Sequence, residues 1–298
     1  MLQKSVNQVI CLKEYITEND YKEINSLQET CSINDKVNLK LELDNKLEIA
    51  KDSKIVLNKI NEFLYYMDET LIGYLGISSW GANIGEINGM THPKWRRKGI
   101  FKKLFEIAVD ECSKRSFGKI LLLSDGKSDS GGEFINNIGG KYDFSEYRMK
   151  RVSSVIPERI NSISLRKAEK DDIKEIAKQN SIYFNDPDEG IEASEIKEVL
   201  HESTHMVELD GNIIGKINIE YGEESAFICG FGILPDFRGK GYGKAALKEA
   251  LYLISEKDIC TVELDVECKN STALNLYKDC GFEEKSIMNY YKYSIQNS

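Results

Sequence analysis

Laid against itself with a shift of 142 residues, the chain repeats. Pro93, Arg96, Lys98, Gly99 and Lys102 fall on Pro235, Arg238, Lys240, Gly241 and Lys244. The same shift lays Asp68, Ile72 and Gly73 on Asp210, Ile214 and Gly215, and Gly139 on Gly281. Nearer the start of each half, Asp20 and Ile24 match Asp172 and Ile176 at an offset of 152, so the first half carries ten extra residues (152 − 142) before its sheet. Solenoid repeats recur every 20–50 residues or so, and a period this long is a duplicated domain. The expected division is a first copy over 1–150, a linker over 151–163 marked by Pro157 and serines, and a second copy over 164–298.

Hydrophobic periodicity sets the order of elements in the second copy. A strand is expected over 163–166 and a helix over 170–180, with Asp171 and Asp172 in its first turn. A second helix follows over 193–202. Strands over 206–210 and 213–220, joined by Gly211-Asn212, form a hairpin. An apolar strand over 226–234 ends at Pro235, and Ala/Leu spacing gives a helix over 243–256. Val262, Leu264 and Val266 alternate with Glu263 and Asp265 in a strand, 271–279 is a helix closed by Gly281, and 287–295 is the last strand. The unit is α+β with a mostly antiparallel sheet, and the first copy follows the same plan.

With 41% hydrophobic and 30% charged residues in 298, there is enough apolar material for two cores. The formal charge of −9 works against a chain that coats nucleic acid or an anionic membrane. Any anionic ligand must therefore meet a local cluster of positive charge. The first 20 residues contain no apolar run of signal-peptide length, and no stretch reaches the roughly 18–20 apolar residues of a spanning helix. Seven cysteines without a CxxC pair, and three histidines at no ligand spacing from them, read as free thiols in a reducing cytoplasm with no metal site.

Arg238-Gly239-Lys240-Gly241-Tyr242-Gly243-Lys244 lies between a strand and a helix. Such a turn lines up backbone N–H groups with the positive end of a helix dipole, and its glycines let a phosphate come close. Arg238, Lys240 and Lys244 supply the charge that the whole chain lacks. No GxxxxGK[ST] is present, and no acidic residue completes a dinucleotide fingerprint. About thirty residues on stands Asn270-Ser-Thr-Ala273-Leu-Asn-Leu276-Tyr277-Lys-Asp-Cys-Gly281-Phe282.

A strand ending in Pro, then R-x-x-G-x-G opening a helix, then N-x-x-A-x-x-L-Y-x-x-x-G-F, resembles the GCN5-related N-acetyltransferase family. The duplication extends the resemblance over nearly the whole chain, as a tandem of two such domains, each a splayed sheet flanked by helices. The resemblance implies acetyl transfer from acetyl-CoA to a primary amine, on a small molecule or peptide, by direct attack. It places Ile233 and Leu234 against pantetheine, Arg238 to Lys244 around the pyrophosphate, and Asn270 on the cofactor arm. Tyr277 matches the tyrosine that protonates the departing thiolate. A phenol, with an ordinary pKa near 10, suits that task. Packing of the helix on the sheet would use the same side chain. Glu220, Glu263 and Asp265 are candidate bases for the amine, with none singled out.

The first copy has drifted. Phe101 stands in place of Gly243, and Ile135, which cannot act as an acid, in place of Tyr277. It keeps six basic residues between Lys94 and Lys103 and no acidic one, so a second anion site and a scaffold role both stand. A chain that binds or senses acyl-CoA without turnover is the alternative to an enzyme. Oligomeric state is not legible.

Overall fold

The computed structural model describes residues 7–52, 59–79, 83–153, 155, 158, 163–184, 203–222 and 224–295. In chain order the first half holds β1 (Gln8–Lys13), α1 (Glu18–Asp35), α2 (Leu43–Asp52), β2 (Glu62–Met67), β3 (Thr70–Ser79), β4 (Ile84–Thr91), α3 (Ile100–Lys114), β5 (Lys119–Asp125), α4 (Asp129–Asn137) and β6 (Lys141–Val152). The second half holds β7 (Ile163–Lys167), α5 (Ile173–Phe184), β8 (Thr204–Leu209), β9 (Asn212–Tyr221), β10 (Ser225–Ile233), α6 (Tyr242–Ser255), β11 (Thr261–Glu267), α7 (Ser271–Asp279) and β12 (Glu283–Tyr293). The helix expected over 193–202 lies outside the described residues. Among the described residues no helix is long and apolar enough to cross a membrane.

Contacts group the chain otherwise than the division at 150 and 164. One compact unit comprises 1–145 with 286–298, and the other 146–285. The reason is an exchange of last strands. In unit 1 the strands run β1-β2-β3-β4-β5-β12, with Met288–Tyr293 antiparallel to Ile120–Asp125. In unit 2 they run β7-β8-β9-β10-β11-β6, with Glu146–Val152 antiparallel to Thr261–Glu267. Each sheet is antiparallel except for one parallel pair, β4 with β5 and β10 with β11. That pair is what opens a cleft. β4 leaves β5 after Ile87, and β10 leaves β11 after Ile228, although both strands run on.

The hairpins show how closely the copies agree. Asp68 and Glu69 have φ of 45° and 67°, and Asp210 and Gly211 have 51° and 78°. Two consecutive positive φ values make a type I′ turn, whose twist matches the flanking strands. The turn in the second copy is thus Asp210-Gly211, not Gly211-Asn212, and Asn212 already belongs to β9. In unit 1 one sheet face packs against α3 through Phe63, Leu75, Leu104, Phe105 and Ala108, and another core holds Ile24, Leu27, Leu64, Tyr74 and Met90 beside α1. In unit 2 the main core is Ile217, Ile219, Ala246, Leu247, Ala250 and Leu264, on the α6 side.

Candidate active site

The turn between β10 and α6 is built by hydrogen bonds that recur, position for position, between β4 and α3. Leu234 N–H donates to Ile214 O (2.8 Å), and Phe237 N–H to Leu234 O (2.9 Å). In unit 1, His92 N–H donates to Ile72 O and Trp95 N–H to His92 O, both at 2.8 Å. Arg238 Nε donates to Ile233 O (2.7 Å), as Arg96 Nε does to Thr91 O (3.0 Å). The arginine of R-x-x-G therefore first serves to close the strand end. Gly239 and Gly241 take φ of 72° and 84°, and in unit 1 Arg97 and Gly99 take 63° and 77°. Gly241 is the N-cap of α6, so the backbone N–H groups of its first turn point outward at the end of a 14-residue helix.

What surrounds the two turns differs. The Arg96 guanidinium is bound to both oxygens of Asp35, at 2.9 and 2.6 Å, and this contact is the main reason the Asp35 carboxyl lies below the ordinary range. The Arg238 guanidinium has no carboxylate partner among the described residues and lies 5.9 Å from the Tyr183 ring centre. Phe101 packs edge-on against Phe134, with ring centres 4.9 Å apart. The corresponding pair in unit 2 is Gly243 and Leu276, and a Cβ on Gly243 would already lie 3.1 Å from Leu276 Cδ1. A Cβ on Gly239 or Gly241 would meet nothing within 4 Å, and the same holds for Gly99 in unit 1, so the two turns differ at Gly243 and Phe101 rather than at the N-cap. Lys240 Nζ donates to Asp236 O (2.9 Å), and Lys244 pairs with Asp279 (2.8 Å) at the surface.

Unit 1 also closes the mouth of its own cleft. The segment between α1 and α2 crosses it: Asn38 N–H donates to Asp125 (3.1 Å), Asn88 to Lys40 O, and Lys40 Nζ to the Tyr290 hydroxyl (2.8 Å). A cavity of about 410 Å³ remains at the end of β5, lined among others by Asp125, Asp129 and Glu133. Such an acidic lining repels a phosphate.

Asn270 caps α7, its side-chain oxygen accepting from Ala273 N–H at 3.0 Å. Tyr277, two helical turns on, is 8% exposed and packs near Phe282. Burial alone pushes its hydroxyl up to about 12. It makes no hydrogen bond among the described residues, so the proton stays available to an incoming group. Of the candidate bases, Asp265 and Glu263 are ion-paired to Arg148 (2.5 and 3.4 Å), and Glu263 also to Lys150 (3.4 Å). Glu220 accepts from the Cys229 thiol (3.3 Å) and has no cationic partner among the described residues.

Sequence reasoning missed the polar floor beside this cleft. Lys216, Asn218 and Thr204 are buried in unit 2, with Gln179 of α5, and Tyr183 of the same helix is half-buried. The signal was a lysine in the middle of an apolar strand, Ile213 to Ile219, where lysine is rarely buried.

The model of the acetyltransferase (GNAT) family matches residues 29–129 and 171–282, and the chain belongs to that family. Its two copies are two repeats of that fold. A GCN5-related N-acetyltransferase from Sphaerobacter thermophilus superposes with a TM-score of 0.76 at 16% identity, over 96% of this chain and 95% of that one. A tandem GNAT protein from the clavulanic acid biosynthesis pathway gives 0.71 at 12%, over 98% and 100%. By sequence, 69 residues (23% of the chain) are 30% identical to the [ribosomal protein bS18]-alanine N-acetyltransferase of Escherichia coli K12, 47% of whose length is covered. Mycothiol acetyltransferase of Paenarthrobacter aurescens is 22% identical over 72% of each chain. The chain spans between 24% and 59% of the length of the first four relatives it matches.

Proposed function

We propose that the second copy transfers an acetyl group from acetyl-CoA to a primary amine, and that the first copy is its scaffold. The observation that carries this reading is the start of α6, where Gly243 leaves free the place that Phe101 fills in the first copy, beside an Arg238 with no carboxylate partner among the described residues where the first copy has an Arg96 held by Asp35. The pyrophosphate would lie on the N–H groups of the first turn of α6, with Arg238, Lys240 and Lys244 around it. Ile233 and Leu234 would line the pantetheine arm. Leu234 would do so by surface contact, since its N–H and C=O already serve the turn. The cap residue Asn270 keeps its amide N–H₂ for the same arm.

Acetyl-CoA supplies the acyl group as a thioester. The acceptor nitrogen, once neutral, forms its bond to the acyl carbon as the carbon–sulfur bond breaks. Tyr277 gives its hydroxyl proton to the leaving sulfur and regains one from solvent. Glu220, which has no cationic partner among the described residues, takes the amine's proton directly or through water.

The names of the relatives make a peptide α-amine the first acceptor to try, followed by an amino sugar. Release of free thiol from acetyl-CoA with this panel tests the reading. Turnover that falls in Tyr277→Phe supports it. Binding of CoA with no thiol release for any amine would favour a sensor, cytoplasmic or otherwise.

A further inference from the structure

β10 contains one residue more than β4. Ile77 pairs with Ile87 and Gly73 with Thr91 in unbroken register, whereas Ile219 pairs with Ile228 and Gly215 with Ile233. The register shifts between Cys229 and Gly232, so the strand bulges there, and Gly230 within it has φ +56°. Bulges bend a strand and redirect its backbone. This one begins at the first residue beyond the pairing with β11, between the splayed edge and the phosphate turn.

The bulge comes with two other departures from the first copy. Lys216 stands at the position of Tyr74, and Asn218 at that of Gly76. Lys216 is 2% exposed, and its Nζ donates to Gly230 O at 3.0 Å. A Cβ on Gly230 would lie 2.9 Å from Asn218 Nδ2 and 3.1 Å from Lys216 Nζ. The inserted glycine and the two polar side chains therefore fit one another and occur together. In unit 1 the Tyr74 hydroxyl turns instead to Glu62 and Lys46, and no bulge forms. Taking a lysine out of water is unfavourable, and burial lowers Lys216 to about 8. A fold that keeps it there gains something a methionine would not give.

Resting on the reading of the second copy as the catalytic one, we infer that Lys216 is a positioning residue for acyl transfer: its Nζ, on the carbonyl of Gly230, holds the β10 bulge and so fixes where the backbone of 230–232 faces the cleft. Lys216 touches no reacting atom. A shift of about 1 Å in a group that orients reactants costs on the order of a hundredfold in rate.

The test is Lys216→Met, which fills the site without the donor. Its kcat with the best amine of the panel should fall about a hundredfold, with the KM for acetyl-CoA and the calorimetric Kd for CoA unchanged. Hydrogen exchange over 229–233 should speed up. Gly230→Ala, whose methyl would press on Lys216 Nζ as well as on Asn218 Nδ2, should lose less activity in the Lys216→Met background than in the wild type, because both substitutions act on the same bulge. Wild-type kcat in Lys216→Met, equal loss of CoA affinity, or strictly additive effects of the two substitutions would overturn the inference. If the wild-type chain released no thiol with any amine, the proposed function would fall. Exchange over 229–233 would then decide, and unchanged exchange in Lys216→Met would overturn the pin as well.

Discussion

The turns at 93–100 and 235–242 have the same backbone and different surroundings, and that difference separates a fold from a site. Both close the strand end with an arginine Nε, both use two consecutive 3₁₀ and left-handed steps, and both start a long helix. In unit 1 the guanidinium is neutralised by Asp35, the helix start is covered by Phe101 against Phe134, and Asn38 and Lys40 cross the cleft. In unit 2 the guanidinium, the helix start and the floor are polar or open. The hydrogen-bonded frame is thus a folding requirement that survives drift, whereas ligand room is lost through a few side chains.

The largest effect is expected from giving the second copy the first copy's plug. Gly243→Phe should abolish CoA binding by calorimetry, because its Cβ alone touches Leu276 and the ring must cross the pyrophosphate's place. Binding of normal strength would show that the ligand lies elsewhere. Next comes Tyr277→Phe, with kcat lowered roughly a hundredfold as for loss of a general acid and CoA affinity retained. A parallel loss of both would give Tyr277 a packing role. Since burial raises its hydroxyl to about 12, kcat should show no alkaline fall from Tyr277 below pH 10 or so.

A smaller effect tests the other turn. Asp35→Asn removes a carboxylate that holds Arg96 and should cost about 1–3 kcal/mol of stability at pH 7, read by urea unfolding. Because Arg96 lowers the Asp35 pKa in the fold, this contribution is present above the ordinary carboxylate value near 3.8 and is lost as pH falls through the folded value. The wild type and variant should therefore converge in acid. A gap that persisted at pH 2 would assign the loss to shape rather than charge. Activity should be untouched.

Last comes the pH dependence that Lys216 gives to stability. Burial lowers its pKa from about 10.5 to about 8, so between these values the unfolded chain binds a proton that the folded chain does not. Stability should rise with pH across this window, and Lys216→Met should lack that slope. Equal slopes would mean that Lys216 is hydrated.

Much of this was legible in the chain. The shift of 142 revealed the duplication, Gly241 and Gly243 marked a turn, and Gly281 marked the end of the 271–279 helix, as the structure forms them; the capping of that helix by Asn270 was not read from the sequence. The strand exchange was not legible. Residues 146–152 and 288–293 are both alternating, half-buried strands, and nothing local says which sheet each will join. The bulge was hidden by compensation: β10 is one residue longer than β4, and the β9–β10 connection is one shorter than β3–β4, so the offset returns to 142 on both sides. The neutralisation of Arg96 by Asp35, 61 residues away, is a tertiary fact no motif records.

The central claim is that one fold is written twice and one ligand site is kept. Isothermal titration of the full chain with CoA measures this directly. The account predicts one equivalent bound per chain, and none in Gly243→Phe. Two equivalents in the wild type, or one persisting in Gly243→Phe, would contradict it.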